Sequence, residues 1–522
     1  MSRPGHVRRA WGAAARGQRV RRGLGAVALA VALVAGLSPS SPAAPPAESP
    51  AASPAPRPSP GPTATALGGP VAAVTARAQQ RRPNIVLVVL DDARLDDMSI
   101  LRHVRRRVGN QGVTVTRHYA PYPLCCPARA TLLTGKYAHN HQVLSNTAPG
   151  GGFTAFDDRS TLATWLDPTY RTGLVGKYLN QYTRPYVPPG WDEWMVPHRM
   201  YDYSYDGWMV TRDGVTTDLS LPEYQTDALG ELAVDFIRRN APRAQPFFLF
   251  TSIVGPHAGN PAEPDDPSLP TPAVSATYRD RFAGRPLTDP SFDEADISDK
   301  PAQLAPLTPA EVTALTEVNA QRREAELSDQ DVIDEILDAL RDSGELDRTF
   351  VIVTSDNGYL LGEHRIRGGK VSPYEVANHM PLLIRGPGIP RRSTFHGLNA
   401  QVDLAPTIAR MAGLRIAPSW RVDGQSMLYR LRHPQARWPQ RPGILLEAAT
   451  PGDTSTWLYQ GLVRGPWKYV ERSNGFVELY NLRRDPYELR SRGAEPAYAE
   501  VVARLGGVLD DLRACAAATC RG

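Results

Sequence analysis

Cys125-Cys126-Pro127-Ala128-Arg129 sets a thiol two residues before a proline and four before a guanidinium. Proline removes a backbone donor and fixes φ, so this spacing predicts Cys125 on an irregular turn. The following residues 130–133 are small or apolar and suit the first turns of a buried helix. The thiol is therefore expected just ahead of a helix N-terminus, where backbone N–H groups point at a bound anion. A buried structural cysteine beside a proline turn is the plain alternative. It leaves the arginine at this offset unexplained.

Two acidic pairs add a second kind of chemistry. Asp91-Asp92 follows the apolar run 84–90, and Ser355-Asp356-Asn357-Gly358 follows the apolar run 350–354. Adjacent carboxylates at the end of a buried strand repel each other and lose hydration unless a cation holds them. Asp91, Asp92, Asp356 and Asn357 offer only oxygen ligands, which suits a hard divalent cation such as calcium or magnesium. A helix cap or turn accounts for either pair alone, but less readily for both pairs at strand ends in a chain that also carries Cys125.

These residues need elements to hold them. The unbroken β-branched run 84–90 predicts a central parallel strand covered on both faces, and similar runs recur at 172–175, 247–253, 349–354 and 381–384. Thr308-Pro309-Ala310-Glu311 is a capping box with proline at the first helical position. A separate helix is expected over 328–342, with Val332, Ile333, Ile336, Leu337 and Leu340 on one stripe and a stop near Gly344. Strands alternating with helices predict an α/β fold with a mostly parallel, doubly wound sheet. Ligands bind beyond the carboxyl ends of such strands, where both acidic pairs fall. Residues 259–306, rich in Pro, Asp and Ser, read as a long functional or mobile excursion. After about residue 416 short strands, at 469–471 and 477–480, and a late helix predict a smaller α+β subdomain.

The formal charge of +5 over 522 residues is misleading. Seven arginines precede residue 45 and the first acid is Glu48, so without that segment 52 basic side chains face 54 acidic ones. The basic excess belongs to a leader, and nothing suggests nucleic-acid binding. The arginine-rich start, the apolar run 26–37 and the small residues after it form a secretory signal. The run is too short for a comfortable membrane span, although an uncleaved anchor is an alternative. The expected organisation is a signal peptide (1–37), a Pro/Ala/Ser-rich linker (38–81), a catalytic domain (82–415) and a C-terminal subdomain (416–522). Cys515 and Cys520 could close a small loop in an exported, secreted protein.

The pentapeptide at Cys125 resembles the sulfatase signature Cys-X-Pro-Ser/Ala-Arg, and Leu133-Thr134-Gly135-Lys136 extends the match. Thr354-Ser355-Asp356-Asn357-Gly358-Tyr359 resembles the second metal-binding segment of that family. Pro381-Leu382-Leu383-Ile384-Arg385-Gly386-Pro387-Gly388 resembles the strand and turn that follow it. Glu478-Leu479-Tyr480-Asn481-Leu482 through Asp485-Pro486-Tyr487-Glu488-Leu489 is similar to its C-terminal subdomain. The resemblance implies an alkaline-phosphatase-like scaffold. It implies that Cys125 becomes formylglycine, made by a formylglycine-generating enzyme acting on the unfolded chain. Arg129 would steady the hydrated aldehyde. Asp91, Asp92, Asp356 and Asn357, with the modified Cys125, would bind calcium. Lys177 in Gly176-Lys177-Tyr178-Leu179-Asn180, and Lys370 before Pro373-Tyr374-Glu375, would grip sulfate oxygens. His257 in Gly255-Pro256-His257 would contact sulfate or help the leaving oxygen.

These residue types suit a sulfate monoester, whose negative charge repels nucleophiles. A divalent cation, two ammoniums and a guanidinium offset that charge. A thiol adduct has no easy route for expelling sulfate. One hydroxyl of a hydrated aldehyde can attack sulfur, and loss of the other's proton then releases sulfate and restores the aldehyde.

One position departs from the family pattern. Many sulfatases carry histidine two residues after the lysine equivalent to Lys177, where this chain has Leu179. Asn180 is the candidate substitute contact. Gly-Lys-Tyr-Leu-Asn resembles N-acetylglucosamine-6-sulfatases and the extracellular heparan sulfate 6-O-endosulfatases, which points to a sulfated small molecule or glycan, amino sugars included. Two alternatives stay open: a phosphoric or phosphonic monoester hydrolase on the same scaffold, and a non-catalytic sulfated-glycan-binding protein.

Overall fold

Eleven strands form the larger sheet. In chain order they are β1 (Asn84–Leu90), β2 (Val113–Tyr119), β3 (Arg171–Gly176), β4 (Glu193–Pro197), β5 (Trp208–Arg212), β6 (Val215–Leu221), β7 (Phe247–Ser252), β8 (Thr349–Ser355), β9 (His379–Arg385), β10 (Ser393–Phe395) and β11 (Asn399–Ala400). The computed structural model describes residues 82–521 except 183–185, 198–202, 207, 222–223, 265 and 438–440. The expected leader and linker lie outside the described residues.

The sheet order is β10-β2-β9-β8-β1-β7-β3-β4-β5-β6, with β11 paired to β2. Its centre, β8-β1-β7-β3-β4, is parallel throughout. The run 381–384 does form a strand, but β9 lies antiparallel to both β8 and β2. Apolar runs mark a covered strand without giving its direction. Ile85, Leu87 and Val89 point into one apolar core and Val86, Val88 and Leu90 into the other. Both faces of β1 are therefore buried, which is why its sequence shows no polar alternation.

Helices α1 (Cys125–Thr134), α2 (Gln225–Asn240), α3 (Pro309–Asp342) and α4 (Leu404–Met411) pack on the two faces. Leu132, Leu133, Leu404 and Ile408 share the core of Ile85 and Leu87, while Leu229, Phe236, Ile333 and Leu337 share that of Val86 and Val88. The two helices expected over 308–342 are one helix of 34 residues, opened by the Thr308–Glu311 capping box. Its middle buries Asn319, Arg322, Glu326 and Asp329 among Ala320, Ala325 and Leu327. That polar stretch interrupts the hydrophobic stripe and not the backbone.

The C-terminal part is an antiparallel sheet, β12 (Ile444–Thr450), β13 (Asp453–Arg464), β14 (Trp467–Arg472) and β15 (Val477–Asn481), in that order. Helix α5 (Ala499–Arg513) covers it through Leu505, Leu509 and Leu512, and Cys515 is bonded to Cys520. Buried Lys468 of β14 pairs at 2.8 Å with Glu375 and with Glu488, and donates to the carbonyl of Pro373 at 2.8 Å. This small sheet thereby anchors the segment just after Lys370.

Register carries the functional residues to one edge. Leu90 pairs with Ser355, while Ser252 pairs with both Val89 and Gly176. Asp91, Asp356 and Lys177, each one residue further on, therefore emerge side by side at the carboxyl ends of parallel strands. Gly176 has φ of 102°, and a Cβ there would lie 2.0 Å from the carbonyl oxygen of Ser252. Gly176→Ala is expected to lower stability by at least ~2 kcal/mol and to displace Lys177. An unchanged melting temperature would contradict this account of the strand end.

Candidate active site

Cys125 is the first residue of α1, not a turn residue ahead of it. Leu124 is the extended N-cap residue, and Pro127 sits in the first turn, where a missing N–H leaves no intrahelical bond unmade. The helix is buried along its whole length, so the thiol is delivered to the edge where the strands end. Cys125 Sγ lies 3.6 Å from Asp91 Oδ1, to which it donates, and 3.0 Å from Lys370 Nζ.

The other expected residues converge here. Lys177 Nζ pairs with Asp91 Oδ2 and Lys370 Nζ with Asp92 Oδ1. Arg129 donates from Nε to Asp356 Oδ2 at 3.0 Å and lies with Nη2 3.4 Å from Asp91 Oδ2. Its Nη1 donates to the Lys177 carbonyl at 2.9 Å and to Ser252 Oγ. Asp356 Oδ1 accepts the backbone N–H groups of Asp92 (3.1 Å) and Asn357 (2.8 Å), and Asn357 Nδ2 donates to Asp92 Oδ1 at 2.6 Å. His257 Nε2 stands 3.7 Å from Asp92 Oδ2. Its Nδ1–H donates to the Ala258 carbonyl at 2.7 Å, leaving Nε2 as the acceptor.

Charge in this cluster is balanced. Burial opposes the charged form of Asp91, but Lys177, His257 and Arg129 outweigh it and hold the carboxyl well below its ordinary range. Asp92 is likewise lowered against its burial, chiefly by Lys370. Burial and the neighbouring Asp91 push Asp356 up to about 6, still ionised at neutral pH. Burial works against Lys177 and Lys370, yet Asp91 and Asp92 hold them well above the usual lysine value. Burial pushes His257 down to about 4, so its ring is neutral at pH 7. Three carboxylates thus face three fixed cations, Arg129, Lys177 and Lys370.

Four of these residues could hold a metal ion. Asp91, Asp92, Cys125 and His257 each bring one donor atom within 4.8 Å of the others. Asn357 Oδ1 is a buried acceptor with no hydrogen-bond partner, a group that costs free energy until something binds it. Asp356 lies outside the four-residue group, with both oxygens already bonded to Arg129 and to backbone.

Several residues that the sequence left open now have places. Arg365 is spent on the carbonyls of Glu294, Ala295 and Leu304, and Arg367 on Glu311, so Lys370 is the cation of that stretch that reaches Cys125. Glu363 pairs with Arg94, and His364 with Glu294. His139 binds Glu447 and the Cys515 carbonyl. Cys126, in the variable position of the motif, is bonded twice to Asn180: its Sγ donates to Oδ1 at 3.3 Å and accepts the Asn180 N–H at 3.2 Å. Asn180 Nδ2 donates to the Tyr203 hydroxyl at 2.7 Å. Both ends of that carboxamide are engaged, and Leu179 is buried in the core.

Two residues had escaped sequence reasoning. Arg322, buried in the middle of α3, donates to the carbonyls of Asp92 (2.7 Å) and Pro256 (3.0 Å), and its guanidinium lies 4.7 Å from the Tyr359 ring centre. It ties together the loops after β1, β7 and β8, and supports Asp92 at φ 71°. Tyr203 stacks on His257 with ring centres 4.1 Å apart. No local motif marks either. A polar residue within an apolar helical stripe is the sole hint for Arg322.

A mostly parallel α/β sheet with buried carboxylates, lysines and a helix-borne cysteine at its carboxyl edge defines an ester hydrolase on the alkaline-phosphatase-like scaffold. Residues 83–414 match the sulfatase family, and residues 362–515 match the C-terminal region of N-sulphoglucosamine sulphohydrolase. The chain belongs to the sulfatase family and is a sulfuric ester hydrolase. It is 30% identical over 507 residues to the N-acetylglucosamine-6-sulfatase of Capra hircus, covering 87% of each chain. It is 31% identical over 417 residues to an extracellular sulfatase SULF-1 homolog of Drosophila melanogaster, covering 76% of this chain and 35% of that one. In fold it is similar to a solved structure in complex with its substrate D-glucosamine-2-N,6-O-disulfate, with TM-score 0.65, 21% identity, and 83% of this chain and 97% of that one covered.

His141 gives the helix that carries Cys125 a pH dependence. Its Nδ1 accepts the Val143 N–H and its Nε2 bonds Thr131 Oγ1, both at 3.1 Å. Burial pushes the imidazole from an ordinary 6.5 down to about 3. The folded value lies below the unfolded one, so the stabilisation is present above pH 6.5 and lost as pH falls toward 3. Melting temperature is expected to fall on acidification from pH 7 to 4, with a shallower slope in His141→Gln. An identical slope in the variant would show that this ring does not contribute.

Proposed function

We propose that the chain is an exported sulfatase that hydrolyses sulfate monoesters of amino sugars and related glycans, with a formylglycine made from Cys125 and a bound calcium ion. The observation that carries this reading is the position of Cys125 Sγ, between Lys370 Nζ and Asp91 at the point where the other acidic and basic groups meet. The substrate class rests on similarity to an N-acetylglucosamine-6-sulfatase and to an extracellular sulfatase SULF-1 homolog. Residues 1–37 would direct export and 38–81 would link the leader to a catalytic domain over 82–415 and a C-terminal subdomain over 416–522. Among the described residues no helix is long and apolar enough to cross a membrane.

Charge balance gives the cation its purpose. Three carboxylates against three fixed cations leave no net attraction for an anionic ester. Asp91, Asp92, Asp356 and Asn357 would hold calcium through oxygen atoms, and the ion would supply the surplus positive charge. Formylglycine supplies a hydrated-aldehyde nucleophile and a way to release sulfate. The remaining work falls to the side chains. Lys177 and Lys370, charged at neutral pH, hold the sulfate oxygens and stabilise charge on the leaving oxygen. Arg129 steadies the group at position 125. His257, neutral with Nε2 unprotonated, is placed to take a proton from a hydroxyl at position 125. With Leu179 buried in the core, His257 is also the ring available for the elimination step.

A tryptic peptide spanning Cys125 from active material should be lighter by about 18 Da, the change from CH2SH to CHO. Cys125→Ala should abolish turnover of sulfate esters while keeping the parent's melting temperature. Activity from protein carrying only unmodified Cys125, or from Cys125→Ala, would place the nucleophile elsewhere. A panel of sulfate, phosphate and phosphonate esters run on material of measured formylglycine content should show a preference for sulfate. Preference for a phosphonate would instead favour the phosphonic monoester hydrolase reading.

Asp356→Ala is expected to weaken calcium binding at least ~10-fold, because it removes a ligand and frees Arg129. Calorimetric titration of metal-stripped protein checks this without reference to activity. Affinity equal to the parent's would overturn the ligand assignment.

A further inference from the structure

The wall of the site beside Lys177 and His257 holds a phenol with no role in the proposed mechanism. Tyr203 lies with its ring centre 4.5 Å from Lys177 Nζ and stacked at 15° on His257. It is partly exposed, whereas Lys177 beside it is buried. Its backbone is pinned to the loop that carries His257. The Asn260 N–H donates to the Tyr203 carbonyl at 2.8 Å, Ser204 bridges Asn260, and the Tyr205 hydroxyl donates to the His257 carbonyl at 2.7 Å. A Cβ on Gly259 would lie 2.3 Å from the Tyr203 carbonyl oxygen, so this approach requires glycine.

The orientation of the hydroxyl follows from its neighbours. Cys126 Sγ already accepts the Asn180 N–H, so the thiol hydrogen is the group left to pair, and it finds Asn180 Oδ1. That fixes the carboxamide with Nδ2 toward Tyr203, where it donates to the phenol oxygen. The phenol therefore acts as acceptor toward Asn180 and keeps its own proton. No acceptor for that proton is found among the described residues. Lys177 and Lys370 are, by contrast, already engaged by Asp91 and Asp92.

We propose that Tyr203 is a catalytic residue of this site, its hydroxyl donating a hydrogen bond to an oxygen of the bound sulfate group. The inference rests on the sulfate-ester reading. It assigns the polar contact beside Lys177 that Leu179 cannot make. It also gives Cys126 and Asn180 a role, since they engage the phenol oxygen as an acceptor and leave its proton free for a ligand. Ring contact with His257 and Lys177 is a separate, apolar contribution, which phenylalanine would keep.

The test is Tyr203→Phe, made as full chain with calcium and measured formylglycine content. 4-Nitrophenyl sulfate serves as substrate and inorganic sulfate as competitor. Loss of one hydrogen bond to a charged group predicts a fall in kcat/KM of about 10- to 100-fold. The inhibition constant for inorganic sulfate should rise by several-fold, while the melting temperature should fall by no more than the loss of the Asn180 hydrogen bond accounts for. A kcat/KM and a sulfate inhibition constant both within about twofold of the parent's would overturn the role of Tyr203 while leaving the sulfatase reading intact. A formylglycine-bearing parent inactive on every sulfate ester tried would sink the sulfate-ester reading, and this inference with it.

Discussion

Parallel strands that end together bring their following residues together, and here those residues include three carboxylates removed from water. Asp91, Asp92 and Asp356 are all buried, a cost that only neighbouring positive charge can offset. The cations come from three separate parts of the chain: Arg129 from α1, Lys177 from the end of β3 and Lys370 from the loop before β9. Each pairing is a long-range contact, so the site and the fold are stabilised jointly. The helix bearing Cys125 is held at the sheet edge by the same ion pairs that neutralise the acids.

Support for this cluster extends outward in identifiable steps. Arg322 on α3 fixes the carbonyls of Asp92 and Pro256, and so couples the long helix to two site loops. Lys468 on the small sheet, paired with Glu375 and Glu488, fixes the segment behind Lys370. Removing the C-terminal sheet would leave Glu375 without its buried partner and Lys370 without a fixed loop. Its place in the site is therefore structural and indirect, acting through the lysine it steadies. The balanced charge of the cluster then explains why a divalent cation belongs in the catalytic proposal: anion binding needs a surplus that the side chains alone do not provide.

Some of this was legible in the residues because some signals are local. A covered strand needs an apolar residue at nearly every position, so β1, β3, β7 and β8 announced themselves. A capping box needs three intervening bonds and nothing else, so the start of α3 was plain. The continuation of α3 was not, because residues 319–329 turn polar side chains inward toward the site loops and break the stripe that marks a helix. The antiparallel direction of β9 was hidden for a similar reason, since direction is a property of pairing and not of composition. Asn180 looked like a substitute for the histidine missing at Leu179. Its carboxamide proved to be occupied by Cys126 and Tyr203, a contact across 54 residues on one side and 23 on the other.

By itself the sequence carried the candidate chemistry: a cysteine four residues before an arginine, carboxylates and a carboxamide at two strand ends, and lysines at motif positions. These follow from residue type and short spacing, which a chain displays without folding. The tertiary structure alone decided which groups meet. It set Lys370 rather than Arg365 or Arg367 against Cys125, gave Cys126 a bonded partner, and stacked Tyr203 on His257 beside Lys177. Such choices depend on register between strands and on helices packed from distant segments, and no short stretch of sequence carries that information.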